Sequence, residues 1–219
     1  MSIECVIFDC DGLMFDTERV SIRNWHEIAA KYNITLDDLF FQRIIGCNRQ
    51  TIEQIFKDYP DIAAHQEEIF RTRVEKIFEC CKKTGSLNKK GLIPLLDTLQ
   101  EMKIRTCVAS SSNRHYVDTL LNSIGKKETF DAIVCGDEVL HGKPDPEIFL
   151  TAAKKAGVAV EHCVVLEDSK SGILAAKRAG MKSVWIYDTV MPDEEMKQAL
   201  QISCNDLDEV NELIKEGRL

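Results

Sequence analysis

Between residues 104 and 187 four short apolar runs alternate with helical patterns, and no other feature of the 219-residue chain restricts its fold so strongly. The runs are Ile104–Ser110, Phe130–Gly136, His162–Asp168 and Ser183–Tyr187, and a fifth, Ile3–Phe8, opens the chain. Short apolar runs bounded by turn residues read as strands buried on both faces. Two of the intervening segments have helical spacing. The segment 146–157 places Ile148, Phe149, Ala152, Ala153 and Ala156 on one face and stops at Gly157, and the segment 171–180 stops in the same way at Gly180. Strand–helix alternation implies an α/β fold with a parallel sheet covered on both faces.

From about Phe15 to Gly85 the pattern changes, and no comparable strand occurs. Ile22, Trp25, Ile28, Ala29 and Tyr32 share a helical stripe, as do Ile69, Phe70, Val74, Ile77, Phe78 and Cys81. The expected organisation is a core of residues 1–15 and 86–219 with an inserted all-helical cap of residues 16–85. The polar segment Lys82–Gly91 is the expected return to the core. The alternative is one α/β domain with an irregular helical start.

The formal charge of −8 and the absence of a long basic run argue against nucleic-acid binding. They do not argue against a small anionic substrate, because a metal ion and a lysine can reverse the local field. The nine cysteines are odd in number and form no CxxC pair, which suits free thiols in a reducing cytoplasm rather than a disulfide framework. They do not cluster with histidines, so a structural zinc site has no support. The N-terminus carries no basic segment ahead of its short apolar stretch, and no window approaches eighteen apolar residues, so neither a signal peptide nor a membrane span is expected.

Ligands of α/β sheets sit beyond the carboxyl ends of the strands. The first run there ends in Asp9 and Asp11, the second in Ser110, Ser111 and Ser112, and the fourth in Glu167 and Asp168, while Lys143 follows the third. Four carboxylates and one lysine at one edge leave a negative excess that a hard divalent cation would balance. Mg²⁺ suits such oxygen donors, with Asp9, Asp168 and Glu167 as candidate ligands. A carboxylate attacking a phosphate monoester also needs a cation: each like-charge pair at about 4 Å costs roughly 1 kcal/mol in water and about 4 at an effective dielectric near 20. Each motif has a bland alternative. Asp11-Gly12 can be a turn, Lys143 a solvated turn residue beside an Asp145 cap, and the Ser110–Ser112 and Glu167–Ser169 stretches helix caps. All of these coincidences would have to occur together and in order. Neither GxxxxGK[ST] nor GxGxxG follows the first strand, which disfavours a nucleotide-binding module.

"DCDG" with the following "DTE", then "VASSS", "GKPDP" and "LEDSKSGI", resemble the four motifs of the haloacid dehalogenase superfamily. Their order, with a helical insert after the first, resembles the β-phosphoglucomutase-like branch. The resemblance implies a Rossmann-like core with a mobile helical cap. It further implies Asp9 as the nucleophile that forms an aspartyl-phosphate, Asp11 as general acid and then base, Ser110 as a phosphoryl-binding hydroxyl and Lys143 as the group that orients Asp9. Mg²⁺ would be held by Asp9, the Asp11 backbone carbonyl and Asp168, with Glu167 nearby. The name-giving dehalogenases do not match the DxD pattern, so Asp11 argues for phosphoryl transfer. Sugar phosphomutases of this branch carry a His and a Lys where this chain has Ser21 and Ile45. Both departures favour a phosphatase, as does Glu18 in "DTE". Glu18, Arg49, Ser111, Ser112 and Asn113 are candidate substrate contacts, Arg49 for a second anionic group. Gln50, Arg23 and Arg114 are further candidates, and Trp25 reads as cap core. The expectation is a cytoplasmic, monomeric, Mg²⁺-dependent phosphatase of a small phosphorylated metabolite, most simply a sugar phosphate. No nucleic-acid or membrane partner is expected. A sugar phosphomutase and a non-catalytic phosphometabolite sensor are the alternatives.

Overall fold

A computed structural model describes residues 3–44, 47, 49–188 and 192–219, with the backbone alone at residue 50. The strands are β1 (Cys5–Phe8), β2 (Arg105–Ser110), β3 (Ala132–Cys135), β4 (Cys163–Glu167), β5 (Lys182–Ile186) and β6 (Ile202–Cys204). They form a parallel sheet in the order β3-β2-β1-β4-β5-β6. This is the Rossmann-like order, in which the chain leaves β1 towards one edge and later fills the other. Each of the five apolar runs holds a strand, with ends that differ from the expected ones by at most two residues. The edge strand β6 is an addition: three residues with one buried side chain carry too little pattern to be read.

The alternation of β1 builds two apolar layers. Val6 and Phe8 pack with Val108, Leu166 and Val184 against α6 (Leu92–Glu101), α7 (Arg114–Ser123) and α11 (Leu207–Lys215). Cys5 and Ile7 pack with Ala109 and Val165 against α8 (Glu147–Ala156) and α9 (Lys170–Arg178). Gly157 closes α8 in the left-handed region at φ 68°, as its position implied. A short α10 (Glu194–Ala199) precedes β6.

Between β1 and α6 the described chain is helical: α1 (Thr17–Lys31), α2 (Asp38–Ile44), α3 (Arg49–Ile55), α4 (Pro60–Ala63) and α5 (Gln66–Thr84). These helices have an apolar cluster of their own, centred on Trp25, whose ring meets Phe40 and Phe56 edge-on at 5.3 and 5.8 Å. The stripe on α5 divides its duties. Ile77 and Cys81 join the sheet's core, whereas Phe70 and Val74 face a cavity. Lys82 to Thr84 still belong to α5, so the return crossing is shorter than the polar segment suggested. The two crossings bind each other: Asp16 N–H donates to Leu87 O, and Lys89 N–H donates to Met14 O. Among the described residues no helix is long and apolar enough to cross a membrane.

Candidate active site

β1 and β4 are neighbours in register, Phe8 opposite Leu166, so their carboxyl ends deliver Asp9, Asp11, Glu167 and Asp168 to one crevice. Asp9 is pinned from below, its N–H donating to Leu166 O at 3.0 Å. Lys143 enters from the loop between β3 and α8. It is 4% exposed, so the solvated-turn alternative does not describe it. Its Nζ donates to Asp9 Oδ1 at 2.5 Å, to Glu167 Oε1 at 2.6 Å and to Ala109 O at 3.0 Å. Asp145 Oδ1 accepts from Glu147 N–H just ahead of α8, but the N-cap position itself is Pro146, one residue later than expected.

Glu167 is fully enclosed, and both its oxygens are engaged. Oε1 meets Lys143, and Oε2 accepts from the N–H groups of Asp168 and Ser169 and from the Ser169 hydroxyl. Gly172 makes room for it, since a Cβ there would lie 1.7 Å from Oε1. Gly12 plays the same part for Asp168: it sits at φ +80°, and a Cβ would lie 2.1 Å from Asp168 Oδ2.

Asp11 is held by four donors. Oδ1 accepts from the hydroxyls of Thr17 (2.8 Å) and Tyr116 (2.7 Å) and from Arg73 (3.3 Å), and Oδ2 accepts from the Ser112 hydroxyl at 2.7 Å. Thr17, Arg73 and Tyr116 were not anticipated as site residues. Arg73 lies on α5, and its Nε also donates to the Ser21 hydroxyl at 2.7 Å. The Ser110 hydroxyl is turned into its own loop, accepting from Ser112 N–H at 3.1 Å. Asn113 caps α7 through Tyr116 N–H, so a capping role and a place in the cavity wall coincide.

Several of these groups line a cavity of about 650 Å³. Asp9, Asp11, Ser111, Ser112, Asn113, Lys143 and Asp168 form the sheet side, and Glu18, Ser21, Trp25, Arg49, Phe70 and Arg73 stand on the helical side. Arg49 lies over the Phe70 ring and pairs with Glu53 at 2.9 Å and Glu67 at 2.8 Å. Burial pushes the Glu18 carboxyl up to about 7, against the lowering pull of Arg73. Arg114 turns instead to Glu138 and the Ile133 carbonyl, and Arg23 is exposed. Ile45 and the side chain of Gln50 lie outside the described residues.

The donor set fits a hard divalent cation. Burial first, then neighbouring acids, pushes Asp168 well above the usual carboxylate range, and burial lifts Asp9 to about 8 despite Lys143. Carboxylates crowded in this way lack positive charge, and the facing atoms are all oxygens.

A family model described as haloacid dehalogenase-like hydrolase matches residues 6–186. The chain belongs to the haloacid dehalogenase-like hydrolase family. A phosphorylated carbohydrates phosphatase from Thermotoga maritima is 29% identical, covering 98% of this chain and 99% of that protein. The fructose-1-phosphate phosphatase YqaB of Escherichia coli is 30% identical over 82% of this chain and 94% of its own. Among solved structures, β-phosphoglucomutase from Clostridium difficile superposes with a TM-score of 0.74 at 26% identity, covering 98% of both chains.

Proposed function

We propose that this hydrolase is a Mg²⁺-dependent phosphatase that releases phosphate from a small phosphorylated sugar through an aspartyl-phosphate. The helices of residues 16–85 act as a cap over the site, and residues 1–15 and 86–219 carry the chemistry. The observation that carries the reading is the Asp9–Lys143–Glu167 chain at the β1–β4 crevice, with Asp11 held beside it.

Asp9 attacks phosphorus: an oxygen–phosphorus bond forms to Asp9 while the bond to the sugar oxygen breaks. Asp11 gives that oxygen a proton. Asp11, now a carboxylate, takes a proton from water as the water attacks phosphorus and the Asp9–phosphorus bond breaks, leaving inorganic phosphate. Lys143 aims Asp9 and offsets charge, and Glu167, both oxygens occupied, positions Lys143 rather than serving as a ligand. Asp9, Asp168 and the Asp11 carbonyl would hold Mg²⁺, which when bound supplies charge stabilisation to the phosphoryl oxygens. The Ser111–Asn113 loop lies where phosphoryl oxygens need donors. Glu18 and Arg49 face the sugar, Glu18 as a hydroxyl partner and Arg49 as the contact for a second anion where a substrate carries one. Ser21 supports the phosphatase over the mutase reading, because its hydroxyl is already bound by Arg73 and to Thr17 O.

The test is a panel of sugar phosphates, nucleotides and phosphorylated short acids, assayed for released phosphate with Mg²⁺ and with a chelator. Asp9→Asn is expected to reduce turnover by on the order of 10⁴-fold or more. Equal release by both proteins would overturn the nucleophile, and sugar isomerisation faster than phosphate release would favour a mutase.

A further inference from the structure

Asp188 follows β5 and belongs to none of the motifs, yet its side chain is only 2% exposed. Oδ1 accepts from Lys89 Nζ at 2.5 Å. Oδ2 is buried and has no hydrogen-bond partner. A buried carboxylate oxygen without a donor is costly, and such an orphan calls for an explanation. Its surroundings supply one. The position a Cβ would take on Gly12 lies 3.4 Å from Asp188 Oδ2 and 2.1 Å from Asp168 Oδ2, so the two oxygens face the same small space beside the Asp11 backbone. The nearby cations are committed elsewhere: Lys143 to Asp9, Glu167 and Ala109 O, and Arg73 to Asp11 and Ser21. The missing donor is therefore something not contributed by these side chains.

We propose that Asp188 is an outer positioning residue for the divalent cation, its Oδ2 accepting a hydrogen bond from a water molecule bound to the ion while Lys89 fixes Oδ1. Mg²⁺ binds proteins through few carboxylates and retains several waters, and those waters need acceptors. Partners in this outer layer commonly change metal affinity by about 10–100-fold. Lys89 sits on the return crossing from the helical segment, its own N–H bound to Met14 O, so the pair also anchors the cation's surroundings to the crossing.

The inference rests on the function proposed above, and calorimetric titration with Mg²⁺ alone separates the two. The proteins compared are the wild type, Asp188→Asn, Lys89→Met and the double variant. Asp188→Asn is expected to bind Mg²⁺ about 10–100-fold more weakly, with its KM for a phosphate ester unchanged at saturating Mg²⁺. Lys89→Met keeps the acceptor but frees Oδ1, and is expected to weaken Mg²⁺ binding by less than Asp188→Asn does. Wild-type affinity in Asp188→Asn overturns the proposal alone. A wild type that binds no Mg²⁺ overturns both readings. Should Asp188→Asn fail to fold because Lys89 loses its counter-charge, the double variant measured against Lys89→Met carries the same comparison.

Discussion

The two walls of the cavity hold charge in different ways. On the sheet side, Lys143, Asp9 and Glu167 are almost wholly buried and share one ammonium among two carboxylates and a carbonyl. On the helical side, Arg49 is 54% exposed and pairs with Glu53 and Glu67, themselves exposed. Buried charges hold one geometry because every alternative leaves an ion without a partner. Exposed pairs add little stability and rearrange readily. The sheet side is thus suited to chemistry on one invariant group, the phosphoryl, and the helical side to accommodating what is attached to it.

The sharpest way to break this contrast is Lys143→Met. It strands two buried carboxylates, and a cost of about 3–5 kcal/mol is expected. For a chain of this size that lowers Tm by roughly 6–20 °C. Urea unfolding of the apo protein measures it directly. A loss below 1 kcal/mol would show that the sheet side is no more tightly committed than the helical side.

Arg73 crosses the divide, standing on α5 yet touching Asp11. Arg73→Met removes one charged donor of four, and hydrogen bonds to charged groups contribute about 1.5–3 kcal/mol, so kcat is expected to fall about tenfold or more. Arg73→Lys restores charge without the fork and is expected to recover only part of it. A change confined to KM would place Arg73 with the substrate contacts instead.

These cases also mark how far the sequence could be read. The core strands and the crevice were legible because apolar runs end directly in Asp9, Ser110 and Glu167, and strand ends share an edge in any parallel sheet. Arg73, Tyr116 and Asp188 were not. Arg73 and Tyr116 meet Asp11 across 62 and 105 residues, and Asp188 meets Lys89 across 99, distances over which spacing carries no signal. Phe70 and Val74 were misleading in another sense. Their helical stripe is real, but a stripe does not say whether it faces a core or a cavity.

Glu18 is the helical side's exception, a partly enclosed carboxyl raised by burial to about 7 from an ordinary 4.5. Between those values the folded chain holds the proton more tightly than the unfolded chain does, so stability falls as pH climbs through that interval. Glu18→Gln lacks the penalty. It is expected to match the wild type at pH 4 and to exceed it at pH 8 by about 1–2 kcal/mol, partial exposure tempering the full linkage. Chemical denaturation at the two pH values checks it, and a variant less stable than the wild type at pH 8 would mean that the carboxylate is stabilised in place.

The smallest structural effect belongs to Arg49. Its two ion pairs are exposed, and pairs of that kind contribute about 0.2–1 kcal/mol each, often nothing measurable. Arg49→Ala is therefore expected to shift Tm by no more than about 4–8 °C. Its effect on function runs the other way. An arginine held loosely by glutamates, stacked over Phe70 and facing the cavity, can exchange those partners for an anionic group on a substrate at little cost. The expected signature is a raised KM for substrates with a second anion and an unchanged KM for those without one, with kcat steady in both. Equal changes for both classes would assign Arg49 to the fold of the helical segment, and selectivity would then have to be sought at Glu18 and Arg73.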